Sequence, residues 1–155
     1  MKLIKLIFSE LEKNNGNNWF IMFLFLGFAE IYESCEDTTL IKQEHIISTN
    51  YPSNYPSNVD CNWRLKAQAG NRVLLSFSDF DVDDFGKDYS SVCFDYIEIF
   101  NVLGKIKYIN GTFCNKNRPP ASMLSQGNEI RISFHSSAWY HYKGFNISYK
   151  SVRPG

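Results

Sequence analysis

The chain has 155 residues, and its 16 basic side chains balance 16 acidic ones, so its formal net charge is zero. This balance argues against nucleic acid as a partner, because binding to a polyanion depends on a positively charged surface. The length allows one ordinary domain, and a hydrophobic content of 44% is enough to fill its core. Frequent Asn, Ser, Phe and Tyr favour strands and turns over long helices, which predicts an all-β domain.

Residues 1–29 are predicted to be a secretory signal peptide or leader. Their apolar stretch, residues 19–29, is too short to cross a membrane, which takes a helix of about 20 residues. Lysines precede it, and Gly27 and Ala29 are small residues placed before a cleavage site at Glu30. The alternatives are a buried N-terminal helix and translation that starts at Met22. We therefore expect a secreted, extracellular protein with no membrane span.

Four cysteines follow this leader, at positions Cys35, Cys61, Cys93 and Cys114. An even number of cysteines in a secreted chain of this size predicts two disulfide bonds. Close Cys-x-x-Cys spacing, which is typical of zinc sites, does not occur among them. Three pairings are compatible with the spacing alone.

Short runs in which apolar and polar residues alternate predict half-buried strands. Their apolar positions are Trp63, Leu65 and Ala67; Val73, Leu75 and Phe77; Ile97 and Ile99; Ile130, Ile132 and Phe134; and Phe145, Ile147 and Tyr149. Turn residues separate the runs at Gly70-Asn71, Gly104, Asn110-Gly111, Pro119-Pro120 and Gly127-Asn128. The rhythm of strands and turns predicts two sheets packed face to face.

Two Asn-x-Ser/Thr sequences predict N-glycosylation, at Asn110 and at Asn146. Asn110 stands beside Gly111, so we expect it at an exposed turn. Both sites agree with an extracellular glycoprotein.

Five blocks of sequence, taken in order, resemble a CUB domain. They are ISTNYPSNYP at residues 47–56, CNW at 61–63, FSDFDVD at 77–83, CFDYIEI at 93–99 and GFNISY at 144–149. The resemblance covers residues 35–150 and leaves 151–155 as a short C-terminal tail. It implies a jelly-roll-like sandwich of two antiparallel sheets, stapled by disulfides between Cys35 and Cys61 and between Cys93 and Cys114. It also implies an extracellular recognition module that is not an enzyme.

The resemblance further implies a candidate calcium site at Tyr55, Asp83 and Asp95, because many CUB domains gather acidic side chains around one Ca²⁺. Ser137 occupies the position of the family's third carboxylate. Since calcium affinity depends on the number of carboxylates, this change predicts a weak site. Asp84 and Asp88 offer substitute oxygens, and the alternative is a solvated acidic loop without an ion. No other cofactor is expected.

Residues 138–143 form an aromatic loop that is a candidate partner-binding site. Its rings, Trp139, Tyr140 and Tyr142, belong to the residue types enriched at the energetic centres of interfaces. The alternative is that one or two of the rings fold back over the edge of the sandwich.

Catalysis is not expected, because the three histidines form no nucleophile, base or metal pattern. The leading hypothesis is a module that binds an extracellular protein through the loops at one end. One alternative is a protein similar to spermadhesins that binds carbohydrate or glycosaminoglycan. The basic cluster that such binding needs is only a loose one, at Lys105, Lys107, Lys116 and Arg118. The other alternative is an accessory CUB fragment of a larger extracellular protease.

Overall fold

A computed structural model describes residues 33–39, 45–83, 92–139 and 141–155 of the chain. These residues form nine strands: β1 (Glu33–Thr39), β2 (His45–Ile47), β3 (Val59–Lys66), β4 (Arg72–Asp81), β5 (Tyr96–Leu103), β6 (Ile106–Phe113), β7 (Ser122–Leu124), β8 (Glu129–His135) and β9 (Gly144–Val152). Within the same residues, no helix is long and apolar enough to cross a membrane. The predicted leader, Asp84, Asp88 and Tyr140 lie outside the described residues.

The strands form two sheets, and the predicted all-β sandwich is confirmed. The five-stranded sheet has the order β1-β3-β8-β5-β6, and the four-stranded sheet has the order β2-β9-β4-β7. Neighbouring strands are antiparallel except at one edge, where β1 runs parallel to β3. This exception places Cys35 directly opposite Cys61 in the strand register.

The core lies between the sheets, where the predicted apolar faces of the strands meet. Trp63, Phe145, Phe134 and Tyr55 form a chain of edge-to-face rings through it, with successive centroids 5.9, 5.2 and 5.1 Å apart. This geometry is favourable because the positive edge of one ring meets the negative face of the next. Strand alternation therefore identified the core correctly, apart from Phe77 and Tyr149, which are only partly buried against it.

The predicted reversal at Asn110-Gly111 is wrong. The chain reverses between β5 and β6 at Gly104, which has a positive φ of 61°. Asn110 and Gly111 continue along β6, where Gly111 pairs with Ile99 and Ile109 with Phe100, so that Asn110 is the extra residue of a β-bulge. Glycine fits at position 111 because the ring of Phe113 occupies the space that a side chain would need.

Two disulfides join Cys35 to Cys61 and Cys93 to Cys114, which is the pairing that the resemblance implies. The second bond ties the segment before β5 to the residue that follows β6. The loops at this end of the sandwich are residues 48–58, 82–95 and 136–143, of which 84–91 and 140 are not described. We call these loops the loop end.

Candidate functional site

The loop end brings Tyr55, Asp83 and Asp95 together from three separate segments. The Tyr55 hydroxyl donates a hydrogen bond to Asp95 Oδ2 at 2.7 Å, and the backbone N–H of Asp83 donates to the Tyr55 hydroxyl at 3.4 Å. All three residues are buried, with at most 1% of their surface exposed. A phenol and two carboxyl groups therefore share one buried hydrogen-bond network.

Asp83 folds the chain back onto the segment that precedes β5. Its φ of 43° lies in the left-handed region, which Asp tolerates better than most residues do. From this position, Asp83 Oδ2 accepts hydrogen bonds from the backbone N–H groups of Phe94, at 2.5 Å, and Asp95, at 3.3 Å. The carboxylate thus fixes the backbone from which the Asp95 side chain extends.

Asp95 also connects this segment to the loop between β8 and β9. The backbone N–H of Ser137 donates to Asp95 Oδ1 at 2.7 Å. The Ser137 hydroxyl in turn donates to the carbonyl oxygen of Trp139 at 2.9 Å. Asp95 therefore accepts hydrogen bonds on both carboxylate oxygens and holds two loops together.

Tyr55 acts as a hydrogen-bond donor in this network. Burial, followed by the charge of the adjacent Asp95, raises the pKa of the Tyr55 hydroxyl far above its ordinary value of 10.0. The hydroxyl consequently keeps its proton at physiological pH and continues to donate to Asp95.

The described oxygens do not make a complete calcium site. Calcium takes six to eight oxygen ligands, several of them from carboxylates. Among residues 33–39, 45–83, 92–139 and 141–155, no group of three acidic, histidine or cysteine side chains is placed to hold a metal ion. Each Asp95 oxygen accepts one hydrogen bond, and the side chain of Ser137 carries no charge. The described geometry gives Asp95 a hydrogen-bonding role, and calcium binding at Tyr55, Asp83 and Asp95 stays a prediction.

The aromatic loop displays one of its rings and packs another. Trp139 is 73% exposed, the highest value among the large hydrophobic side chains of the described residues. Tyr142 packs partly against the core, and its carbonyl oxygen accepts a hydrogen bond from the Tyr55 backbone at 3.0 Å. Trp139 is therefore the described ring of this loop that is available to a partner.

Sequence reasoning missed two further apolar side chains at the loop end. Val92 is 58% exposed and Phe94 is 48% exposed. Phe94 precedes Asp95, and Trp139 follows Ser137 by two positions, so the Asp95–Ser137 hydrogen bond joins the segments that carry the two rings. In the sequence, the exposure of Val92 and Phe94 is indicated only by their positions on either side of Cys93, outside any run of alternating apolar and polar residues.

A second missed feature anchors the far end of the aromatic loop to β4. Lys143 forms an ion pair with Asp79, and the Tyr51 hydroxyl donates to the same carboxylate at 2.7 Å. Hydrogen bonding from Lys143, then from Tyr51, lowers the pKa of Asp79 below its ordinary value. Both ends of the loop that carries Trp139 are thus tied to neighbouring segments.

The three histidines lie apart and have different partners. His45 pairs with Asn146 at 2.8 Å, His135 with Asp60 at 2.8 Å, and His141 with Ser57 at 3.2 Å. Within the described part of the chain, they do not belong to any group of side chains placed to hold a metal ion.

Comparison with known proteins agrees with this architecture. Residues 35–149 match the CUB domain family. Tolloid-like protein 1 from Homo sapiens is 38% identical over 101 residues, which make up 65% of this chain and 10% of that protein. Embryonic protein UVS.2 from Xenopus laevis is 32% identical over 130 residues, which make up 82% of this chain and 24% of that protein. The chain thus spans only a minor part of these relatives.

Solved structures of CUB domains also resemble this chain. The CUB2 domain of MASP-1, in a crystal structure with bound Ca²⁺, matches with a TM-score of 0.60 and 30% identity over 74% of this chain and 98% of that one. The full extracellular region of zebrafish Gpr126/Adgrg6 matches with a TM-score of 0.60 and 26% identity, over 80% of this chain and 15% of that one. CUB domains are protein-interaction modules of extracellular proteins. Because the family match covers most of its length, the chain belongs to the CUB domain family.

Proposed function

We propose that the chain is a secreted CUB domain that binds another extracellular protein through its loop end and catalyses no reaction itself. The observation that carries this proposal is the exposure of Trp139, 73%, on a loop that is anchored at both ends. Tryptophan is among the residues that contribute most to the energy of protein interfaces.

The surroundings of Trp139 support the same proposal. Phe94 and Val92 are exposed on the segment that Asp95 joins to the aromatic loop, so the loop end carries further exposed apolar side chains besides Trp139. The buried network of Tyr55 and Asp95 fixes the backbone beneath them. A surface that is already ordered loses little entropy on binding, which favours affinity.

Binding to glycosaminoglycan is the second candidate, and the distribution of charge favours it less. Lys105 lies just before β6 and Lys107 at its start, whereas Lys116 and Arg118 follow its end. A strand of eight residues is about 26 Å long, so these cations do not form one compact patch. Arg118 is also engaged with Asn115 and with the carbonyl oxygen of Phe80.

An accessory role in a larger extracellular protease is the third candidate. One of the relatives is Zinc metalloproteinase nas-39 from Caenorhabditis elegans, 31% identical over 110 residues that make up 11% of that protein. In that case the loop end would serve recognition, and any catalytic centre would lie in another part of the polypeptide. The size of the natural gene product decides between this role and an independent binding protein.

Substituting Trp139 with alanine tests the proposed surface. The wild-type chain, immobilised and exposed to extracellular fluid, is expected to retain a protein ligand that mass spectrometry identifies. Trp139→Ala should then weaken binding of the purified ligand by at least tenfold, since a central interface residue contributes about 2 kcal/mol or more. Ile106→Ala is the matched control, because Ile106 is 67% exposed and lies on β6.

Equal binding by wild type and Trp139→Ala would contradict the proposal, as would a loss that Ile106→Ala reproduces. Retention on heparin that is lost with increasing salt would favour the glycosaminoglycan candidate instead, because salt screens contacts between exposed charges.

Ser137→Asp is expected to create calcium binding that the wild-type chain lacks at submillimolar concentration. The substitution places a third carboxylate beside Asp95 and so restores the charge that calcium coordination favours. Isothermal titration with Ca²⁺ measures the change, and Ser53→Asp is the control, because it adds the same charge at an exposed loop position. Submillimolar binding by the wild-type chain would show that the existing oxygens already form a site.

A further inference from the structure

The edge strands of the two sheets meet along one side of the sandwich. β6 is the last strand of the five-stranded sheet, and β7 is the last strand of the four-stranded sheet. The amide Nδ2 of Asn110 on β6 contacts Met123 Sδ on β7 at 2.8 Å, and Tyr108 on β6 donates a hydrogen bond to Gln126 just beyond β7. We call β6, β7 and residues 103–105, which lead from β5 into β6, the edge seam.

The edge seam exposes an unusual share of apolar surface. Eight large hydrophobic side chains are exposed in the described residues, and half of them belong to the seam. They are Leu103 at 43%, Ile106 at 67%, Ile109 at 51% and Leu124 at 43% exposure. Ile109 pairs with Phe100 and Ile106 with Leu103 across the hairpin, so the apolar surface extends around both faces of the edge. Exposed apolar edge strands are sites of self-association.

Apart from the bulge at Asn110, the strand carries little of the usual protection against such pairing. β6 contains no proline, and Lys107 is its one charged residue. The ammonium group of Lys107 lies 3.8 Å from the centroid of the Phe100 ring, so it rests over the sheet face. A charge that extends past the backbone edge would discourage pairing more effectively.

Asn110 supplies a different means of covering the seam. It begins the sequence Asn110-Gly-Thr, which is an N-glycosylation acceptor, and it is exposed in the folded chain. As the extra residue of the bulge, it is directed toward β7, as its contact with Met123 shows. A group attached to its Nδ2 therefore starts in the middle of the seam.

The second acceptor, Asn146, has a different setting. It lies on β9, between β2 and β4, and its Oδ1 is hydrogen-bonded to His45 Nδ1 at 2.8 Å. None of the four exposed hydrophobic residues of the seam belongs to its strand or to the strands beside it. A glycan at Asn146 would not start at the edge seam.

We propose that an N-linked glycan on Asn110 covers the edge seam and keeps the chain monomeric, which rests on the secretion proposed above. The sugar is transferred from a lipid-linked pyrophosphate oligosaccharide: a bond forms between sugar C1 and Asn110 Nδ2, and the bond between C1 and the pyrophosphate oxygen breaks. The amide nitrogen loses one proton to a base of the transferase and retains the other. The remaining N–H preserves a donor for the Met123 contact.

The experiment compares four forms of the chain secreted from cultured eukaryotic cells. They are the native glycoprotein, the folded glycoprotein trimmed by an endoglycosidase to single N-acetylglucosamine residues, Asn110→Gln and Asn146→Gln. Glycopeptide mass spectrometry is expected to find Asn110 occupied, and light scattering should find the native form and Asn146→Gln monomeric. The trimmed form and Asn110→Gln should associate at concentrations at least tenfold lower. Adding Ile109→Lys to Asn110→Gln should restore the monomer.

Two results would overturn this inference while leaving the proposed secretion intact. One is a secreted chain without a glycan at Asn110, and the other is a trimmed form and an Asn110→Gln variant that remain as monomeric as the native protein. The trimmed form keeps this test decisive if Asn110→Gln fails to fold, because its glycan is removed after folding. A chain that never reaches the medium would contradict the proposed secretion and the inference together.

Discussion

Asp95→Ala is expected to lower the free energy of unfolding by about 3–4 kcal/mol, because it removes the acceptor for one buried and one partly buried hydrogen bond. The Tyr55 hydroxyl and the Ser137 backbone N–H both donate to this carboxylate. A hydrogen bond to a charged group contributes about 1.5–3 kcal/mol, and a buried donor left without its partner is costly. Relief of repulsion with the nearby Asp83 offsets part of the loss without reversing it.

Denaturant unfolding of a small set of variants measures this effect. Asp95→Asn is the matched control, since its amide oxygen still accepts from Ser137, and it should cost about 1–2 kcal/mol. A double-mutant cycle that combines Asp95→Asn with Tyr55→Phe should give a coupling energy between the two side chains of about 1 kcal/mol or more. If the free energy of unfolding of Asp95→Ala lies within about 1 kcal/mol of the wild-type value, the network does not hold the loop end together.

The double substitution Cys93→Ala/Cys114→Ala is expected to lower the free energy of unfolding by about 3 kcal/mol. The bond closes a loop with a sequence separation of 21 residues, and a loop of this size restricts the unfolded chain by about that amount. The same bond lies next to Phe94 and Asp95. Its loss should therefore increase amide hydrogen exchange at these two residues and weaken any binding that depends on the loop end.

The matched control is Cys35→Ala/Cys61→Ala, which opens a loop with a separation of 26 residues between β1 and β3. It should reduce stability by a similar amount, since loop-closure entropy changes slowly with length. It should leave hydrogen exchange at Phe94 and Asp95 closer to wild type. Equal loss of protection in the two variants would mean that the Cys93–Cys114 bond has no specific effect on the loop end.

Local pattern predicted the fold because strands leave a strong periodic signal. Ile130, Ile132 and Phe134 alternate with polar residues, and all three are buried against the opposite sheet. Burial of one face of a strand imposes a period of two on the sequence, so the core was predictable without tertiary information. The parallel pairing of β1 with β3 had no such signal, since it depends on residues far apart in the chain.

The predicted reversal at Asn110-Gly111 was wrong because the same dipeptide fits two backbone conformations. Asn and Gly adopt turn conformations readily, but they also fit a β-bulge, where one residue has no partner across the strand. The choice is made by Phe113, whose ring occupies the space beside Gly111. Gly104, six residues earlier, supplies the actual reversal.

The site was predictable only in part. Tyr55, Asp83 and Asp95 came from the resemblance to the family, and the structure places them in one network. The exposure of Phe94 and the Lys143–Asp79 ion pair depend on how distant loops pack, which residue type and spacing do not encode.

Photo-cross-linking tests whether the loop end contacts a partner. A photoreactive phenylalanine analogue is placed at residue 139, at residue 94 or, as a control, at the exposed position 150 on β9. After irradiation in extracellular fluid, positions 139 and 94 are expected to capture the same protein, and position 150 none. Capture from position 150 alone, or no capture from positions 139 and 94, would contradict binding through the loop end.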